Sequence, residues 1–257
     1  MRITEIILKV ILIPLLVLIA ALGMIIVETR QGGRKWPKVR GWWSRALLLN
    51  GFQVGAVWIA GVAWNGWMLR HRPWSADALG VAGGSILGYL AITFFFYWWH
   101  RWRHESDFLW RWFHQVHHSP QRIEVITSFY KHPFEILADS ALSSAILYLV
   151  VGLGPAAAAG GVLLSGLAEL VYHWNIRTPY WLGFVFQRPE SHCIHHEKGV
   201  HSFNYSDLPV WDMLFGTFRN PREWNAQCGF EPAQELRFGE MLIGRDVHAM
   251  KTEDLQP

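Results

Sequence analysis

Thirteen histidines occur in this chain of 257 residues, and eight of them fall into three spaced groups. His100 and His104 form the first, and His114, His117 and His118 the second. His192, His195 and His196 repeat the second group's spacing far along the chain. Residues three and four apart lie on one face of a helix. His-x-x-x-His therefore aims two imidazoles one way, and His-x-x-His-His aims three. Imidazole suits zinc, copper, iron and nickel, and must be neutral to ligate. One such pair is a common accident, whereas three grouped sets are not. The spacing points to a metal site, and so many histidines oversupply a single four-coordinate ion.

The first two groups cannot share a site on one straight helix. From His100 to His118 a continuous helix would run about 27 Å, at about 1.5 Å per residue. Two metals in one centre stand only about 3.5–4 Å apart. The chain must therefore break between His104 and His114. Glu105-Ser106-Asp107 supplies the polar break, and Ser106 or Asp107 can cap a new helix. That helix should stop at Ser119-Pro120, because proline disfavours helix in the residue before it.

The elements that position these groups read as membrane helices. Hydrophobic residues make up 51% of the chain and charged residues 17%, a membrane-type balance. Sixteen tryptophans suit interfacial belts. Ile6–Val27, Ala46–Met68 and Ala78–Trp99 are apolar runs of spanning length, which takes about 20 residues. A cleaved signal peptide is the alternative for the first run. Its apolar stretch exceeds the usual ~7–15 residues, and Glu5 spoils the basic start. Ile136–Tyr172 is apolar again, broken at Gly152-Leu153-Gly154-Pro155, and reads as two short spans or a re-entrant hairpin. The expectation is an all-α polytopic membrane protein with four or five membrane helices and a helical cap holding a histidine-rich di-metal site.

Charge sets the orientation. Arg30, Arg34, Lys35, Lys38, Arg40 and Arg45 stand against Glu28 alone between the first two runs, which marks the cytosolic side. The third run then delivers His100 to the cytosol, and the last apolar stretch returns His173 to the same side. Every histidine group shares one compartment, so the cap is expected on the cytosolic face. Cys193 and Cys228 lack ligand spacing and read as reduced thiols. The net charge of +3 comes from membrane-flanking loops, so no nucleic-acid partner is read. His71 and His248 read as solvated.

With these groups in view, the chain resembles the fatty acid hydroxylase/sterol desaturase superfamily of integral-membrane di-iron enzymes. The resemblance rests on His100-x-x-x-His104, Leu109-Trp110-Arg111 leading to His114-x-x-His117-His118-Ser119, and His132-Pro133-Phe134-Glu135. Tyr172-His173-Trp174-Asn175 and His192-x-x-His195-His196 continue it. Asn204-Tyr205 and Trp211-Asp212-Met213-Leu214-Phe215-Gly216-Thr217 close it. It covers roughly residues 85–220. Together with the length and the apolar runs, it sets the expectation of a single membrane-embedded unit over 1–257, with N-terminal spans in 1–77, a fatty acid hydroxylase-like catalytic region in 78–220 and a cytosolic tail in 221–257.

The resemblance implies two iron ions, replaceable by zinc in preparations, and O2 as co-substrate. His100, His104, His114, His117, His118, His192, His195 and His196 carry over as ligands, and His173 as a ninth. Some branches place another histidine four residues after the ninth. Here the position is Arg177, so that ligand is missing or replaced by Asn175 or water. Outer residues should orient the ring N–H groups. The candidates are Glu135, Asp207, Asp212, Asn175, His201 and His132, the last of which could equally start a helix.

The implied reaction is hydroxylation of a lipid C–H bond. Desaturation by the same centre is the alternative, and a zinc-binding non-catalytic membrane protein a more distant one. Sterol, acyl lipid, alkylglycerol and small isoprenoid are all compatible substrates. No redox-cofactor motif is visible, so a separate electron-transfer protein is implied. Arg101, Arg103, Arg111 and Arg122 are candidates for its docking face or for lipid headgroups.

Overall fold

The computed structural model describes residues 3–247, and His248 lies outside them. Among the described residues there is no strand, only an isolated bridge between Glu197 and Cys228. Helix α1 is Ile3–Gln31. Four further helices are long and apolar enough to cross a membrane: α2 (Trp42–Arg70), α3 (Asp77–Glu105), α5 (Pro133–Val150) and α6 (Pro155–His173). Between α3 and α5 lies α4, residues 107–118. Beyond α6 come α7 (Pro189–His195) and α8 (Pro209–Leu214). The protein is an integral membrane protein.

The break expected after His104 is present. Helix α3 ends at Glu105, and the Ser106 side chain accepts a hydrogen bond from the Leu109 amide at 3.4 Å, which caps α4. Helix α4 passes through a π turn at Trp110–His114 and ends at His118. The broken apolar stretch of residues 136–172 is the helix pair α5 and α6. Proline occupies the first turn of each, where its missing N–H costs nothing. Gly152 turns between them at φ +75, where a Cβ would meet Trp74 at 2.6 Å.

Small residues set how closely the spans approach. Gly84 and Gly88 of α3 face Ala157 and Gly161 of α6, and a Cβ on Gly160 would strike the Ser85 hydroxyl at 2.1 Å. Lipid offers little hydrophobic drive between helices, so close backbone contact of this kind supplies the packing.

The cap is fastened to the span ends. The Glu28 carboxylate accepts from the Val125 and Asn175 amides, both at 3.1 Å, and so joins α1, the loop after α4 and the end of α6. A buried apolar cluster joins Trp42, Ala46 and Leu49 of α2 to Trp110 and Val116 of α4 and to Phe230, Met241 and Val247. Residues near the end of the described chain are therefore packed into the cap core behind the histidines.

Candidate metal centre

Helix ends bring the histidines together. The first box, His100 and His104, occupies the last turns of α3; the second, His114, His117 and His118, the end of α4; His173 is the last residue of α6; and the third box, His192, His195 and His196, takes the end of α7 and the residue after it. They form two groups. His100, His104, His114, His118 and His195 make one, and His117, His173, His192 and His196 the other; within each, one ring nitrogen per residue lies within 4.8 Å of all the rest. The expectation that His-x-x-His-His aims three rings one way is corrected. The i and i+4 rings stay together, while the i+3 ring, some 60° away around the helix at 3.6 residues per turn, joins the other group. His117 thus leaves the second box and His195 the third. The groups adjoin where His118 stacks on His196, ring centres 4.3 Å apart.

Most of the rings are held from behind, whereas the buried Nδ1 of His196 has no hydrogen-bond partner. His100 Nδ1 donates to the Tyr205 carbonyl at 2.7 Å, His195 Nδ1 to the Phe203 carbonyl at 2.7 Å and His173 Nδ1 to the Glu169 carbonyl at 2.9 Å. His114 Nδ1 donates to Glu135 Oε1 at 2.9 Å. His118 Nδ1 lies 3.1 Å from His201 Nδ1, and His192 Nδ1 lies 2.7 Å from the Gln187 amide. In His100, His114, His173 and His195, whose Nδ1 faces a carbonyl or carboxylate oxygen, the proton held on Nδ1 leaves Nε2 as a bare lone pair. Burial pushes His114, His117, His118, His192 and His196 well below the ordinary imidazole range and holds His195 near about 3, so the rings are neutral.

These nitrogens fit metal ions. The Nε2 atoms of His100, His104 and His195 are buried without a hydrogen-bond partner. Facing Nε2 atoms stand 3.1 Å apart in His114 and His118, and 3.0 Å apart in His173 and His192 and in His192 and His196. Such a spacing suits a hydrogen bond when one nitrogen carries a proton, and a shared cation when both are bare. Ligand bonds of about 2.0–2.1 Å at right angles would separate neighbouring nitrogens by about 3 Å.

The outer candidates divide. Glu135 touches the site directly and also pairs with buried Arg103. His201 touches it through His118. Asp212 acts one step back: it accepts from the Tyr205 and Ser206 amides and the Thr217 hydroxyl, which fixes the turn that offers the Tyr205 carbonyl to His100. Asp207 contacts none of the rings; it lines the neighbouring cavity beside Tyr172, and burial pushes its carboxyl up to about 7. Asn175 does not reach the site, because its side chain is used on the Arg34 backbone at 2.9 Å in both directions. His132 caps α5 by accepting from the Phe134 amide. His71 is exposed and stacks on Trp67. Arg103 is 3% exposed, so it is no part of a docking face.

Several partners of the rings leave no mark in the sequence. Gln187 carries no motif signal. The Tyr205 and Phe203 carbonyls are backbone, and their loop turns left-handed at His201, Phe203 and Asn204, with φ of 40, 67 and 49, strain typical of functional loops. A cavity of about 200 Å³ reaches from the rings into the span bundle. His100 and His114 of one group and His117 and His192 of the other all line it. Lys131 pairs there with Glu169 at 2.5 Å and with Asp139 at 3.7 Å.

Residues 85–217 match the family described as fatty acid hydroxylase. The chain belongs to the fatty acid hydroxylase family. That match spans all three boxes, from within α3 to the turn after α8. An ornithine lipid hydroxylase of Rhizobium tropici is 35% identical over 156 residues, which is 59% of this chain and 46% of the relative. A very-long-chain aldehyde decarbonylase of Oryza sativa subsp. japonica is 29% identical over 51% of this chain and 53% of its own length. Human alkylglycerol monooxygenase is 26% identical over 62% of this chain and 35% of its own length. The chain thus spans about half or less of these fatty acid hydroxylase relatives. No solved structure matches it.

Proposed function

We propose that this protein is a membrane-bound di-iron oxidoreductase that uses O2 to hydroxylate a C–H bond of a lipid. The observation that carries the reading is a cavity among apolar helices that is lined by residues of both histidine groups. His100, His104, His114, His118 and His195 would hold one iron, and His117, His173, His192 and His196 the other. When bound, the iron pair supplies activation of O2 for attack on an unreactive C–H bond. The helices α2, α3, α5 and α6 around the cavity admit a lipid and exclude bulk water. Glu135 keeps the Nδ1 proton on His114, and the carbonyls of Tyr205, Phe203 and Glu169 do the same for His100, His195 and His173, so each ring presents a bare nitrogen.

Lipid is the common term among the relatives' names, since ornithine lipid, long-chain aldehyde and alkylglycerol share a long apolar chain and little else. The basic stretch between α1 and α2 supports a cytosolic placement of the site, from which a separate electron-transfer protein would supply electrons. Untargeted lipid analysis of cells with and without the protein would find the substrate. The deciding assay is the purified protein in lipid nanodiscs with iron, a reductant and isotopically labelled O2. Hydroxylation adds one labelled oxygen to the product, desaturation removes two hydrogens and adds none. An iron-loaded protein that changes no lipid would leave the non-catalytic, zinc-binding reading standing.

A further inference from the structure

We propose that two segments of the cap are inserted into the acyl region of the bilayer and form a lip between the lipid and the cavity. They are the 3₁₀ turn Tyr180–Phe184 with Val185 and Phe186, and helix α8. The inference rests on the membrane placement of α3 and not on the proposed chemistry.

The first observation is an outward apolar face in each segment. Trp181, Phe184 and Val185 are spaced i, i+3, i+4, and so are Val210, Met213 and Leu214; all six are 40–67% exposed. A short helix in water turns such a face inward. Here the inward side of α8 carries its polar groups instead: Asp212 is buried, and Trp211 Nε1 donates to the Thr93 hydroxyl at 3.0 Å. The two segments are neighbours, so the exposed faces make one patch. Soluble surfaces rarely carry a contiguous apolar patch of this kind.

The second observation is depth. Helix α8 lies along α3 from Thr93 and Phe94, where Trp211 packs, to Trp98, where Phe215 packs, with ring centres 5.0 Å and 4.7 Å apart. The Ser206 hydroxyl also donates to the Thr93 carbonyl at 3.1 Å. The apolar run of α3 continues for six more residues to Trp99, about 9 Å of helix. Trp211 therefore sits beside the apolar part of a spanning helix, and the exposed side of α8 continues that helix's lipid-facing surface.

The third observation is charge. Residues 180–186 contain no ionisable side chain except the Tyr180 phenol, and residues 208–218 none except buried Asp212. Exposed Arg177, Arg219 and Arg222 flank the segments, as cations flank an interfacial element at headgroup level. The loop entering α8 carries Tyr205 and Asp207, which line the cavity. The lip thus has lipid on one side and the cavity on the other, at the place where a lipid leaving the bilayer would enter.

The test uses the whole protein in nanodiscs, with an environment-sensitive fluorophore on Leu214→Cys or Phe184→Cys. Leu87→Cys on α3 serves as the membrane control and Ala226→Cys on the exposed cap as the aqueous control. The parent chain, whose Cys193 and Cys228 are buried, gives the labelling background. Nitroxide on lipid acyl chains should quench the 214 and 184 labels as it quenches the 87 label, and aqueous iodide should not. Quenching by iodide at 214 and 184, as at 226, would overturn the lip. Silence toward both quenchers would overturn it too, because the patch would then be covered by protein. Failure of the 87 label to respond to acyl nitroxide would overturn the membrane placement of α3 itself and leave the metal reading untouched.

Discussion

His117 and His118 are neighbours in the chain and face opposite halves of the site. The His118 ring stands 4.6 Å from those of His104 and His195, whereas the His117 ring stands 5.2 Å from His173 and 4.7 Å from His196. The third box mirrors this: His192 and His196 stay together, and His195 crosses to the half that holds His118. The second and third boxes therefore each contribute to both halves, and neither half can form on one element alone.

This crossing predicts distinct metal losses. His118→Ala and His117→Ala should each release one of two bound ions, from different halves, with a partial loosening of the other. Each ring belongs to only one cluster, and metal affinity follows the number of deprotonated ligands in place. Both variants should stay in the membrane, because the spans fold on their own lipid-facing and helix-packing surfaces. Elemental analysis of the membrane-extracted protein is the check; full metal content in either variant would remove that ring from the centre.

Glu135 should matter twice. Its carboxylate orients His114 and neutralises Arg103, and all three are buried. Glu135→Gln should weaken metal binding by about 10–100-fold, the usual effect of losing a partner behind a ligand. Glu135→Ala, which strands Arg103 beside only Asp139 at 3.7 Å, should also destabilise the fold by roughly 3–5 kcal/mol. Chelator-competition titration and thermal unfolding read the two effects separately. Unchanged metal affinity in Glu135→Gln would refute the orienting role.

Asp212 should affect the metals without touching them. Asp212→Ala leaves the Tyr205 and Ser206 amides without their acceptor and frees the turn behind His100. A stability loss on the order of 1–3 kcal/mol is expected for buried donors left unpaired, together with reduced metal content. Asp212→Asn retains one acceptor oxygen and should fall between Ala and the parent. Equal metal content in all three proteins would show that the turn does not depend on this side chain.

The metal-free cap should be acid-labile. His195 has an ordinary value of 6.5 in the unfolded chain and about 3 when buried, and His114, His117, His118, His192 and His196 are lowered in the same sense. Below 6.5 the unfolded chain binds protons that the folded chain refuses. The stabilisation is therefore complete above that value and falls as pH falls. Each such ring costs about 1.4 kcal/mol per pH unit while the mismatch lasts. Tryptophan fluorescence of the metal-free protein in nanodiscs should show cap unfolding on moving from neutral pH toward 5. A transition that does not move with pH would mean that the rings are not buried as neutral groups.

The parts list and the punctuation are written in the local spacing of residues. His173 was legible only through the family resemblance. The eight histidines of the three boxes, the break at Glu105-Ser106-Asp107, the stop at His118 before Ser119-Pro120 and the turn at Gly152 were all legible from spacing. Each depends on interactions between residues a few positions apart, which local spacing records. Glu135 was legible as an outer residue because its motif includes it. Tertiary structure alone decided how the rings divide, because the assignment of His117 and His195 depends on how α3, α4, α6 and α7 meet. It also decided the ring orientations, since the carbonyls of Tyr205, Phe203 and Glu169 belong to every residue type and leave no mark in the sequence. Asn175 shows the reverse case: its position after His173 suggested the site, but the Arg34 backbone, 141 residues away, claimed its amide. The placement of α8 against Thr93 is of the same kind. A six-residue apolar helix is too short to signal membrane contact, and only its packing beside α3 gives it a depth.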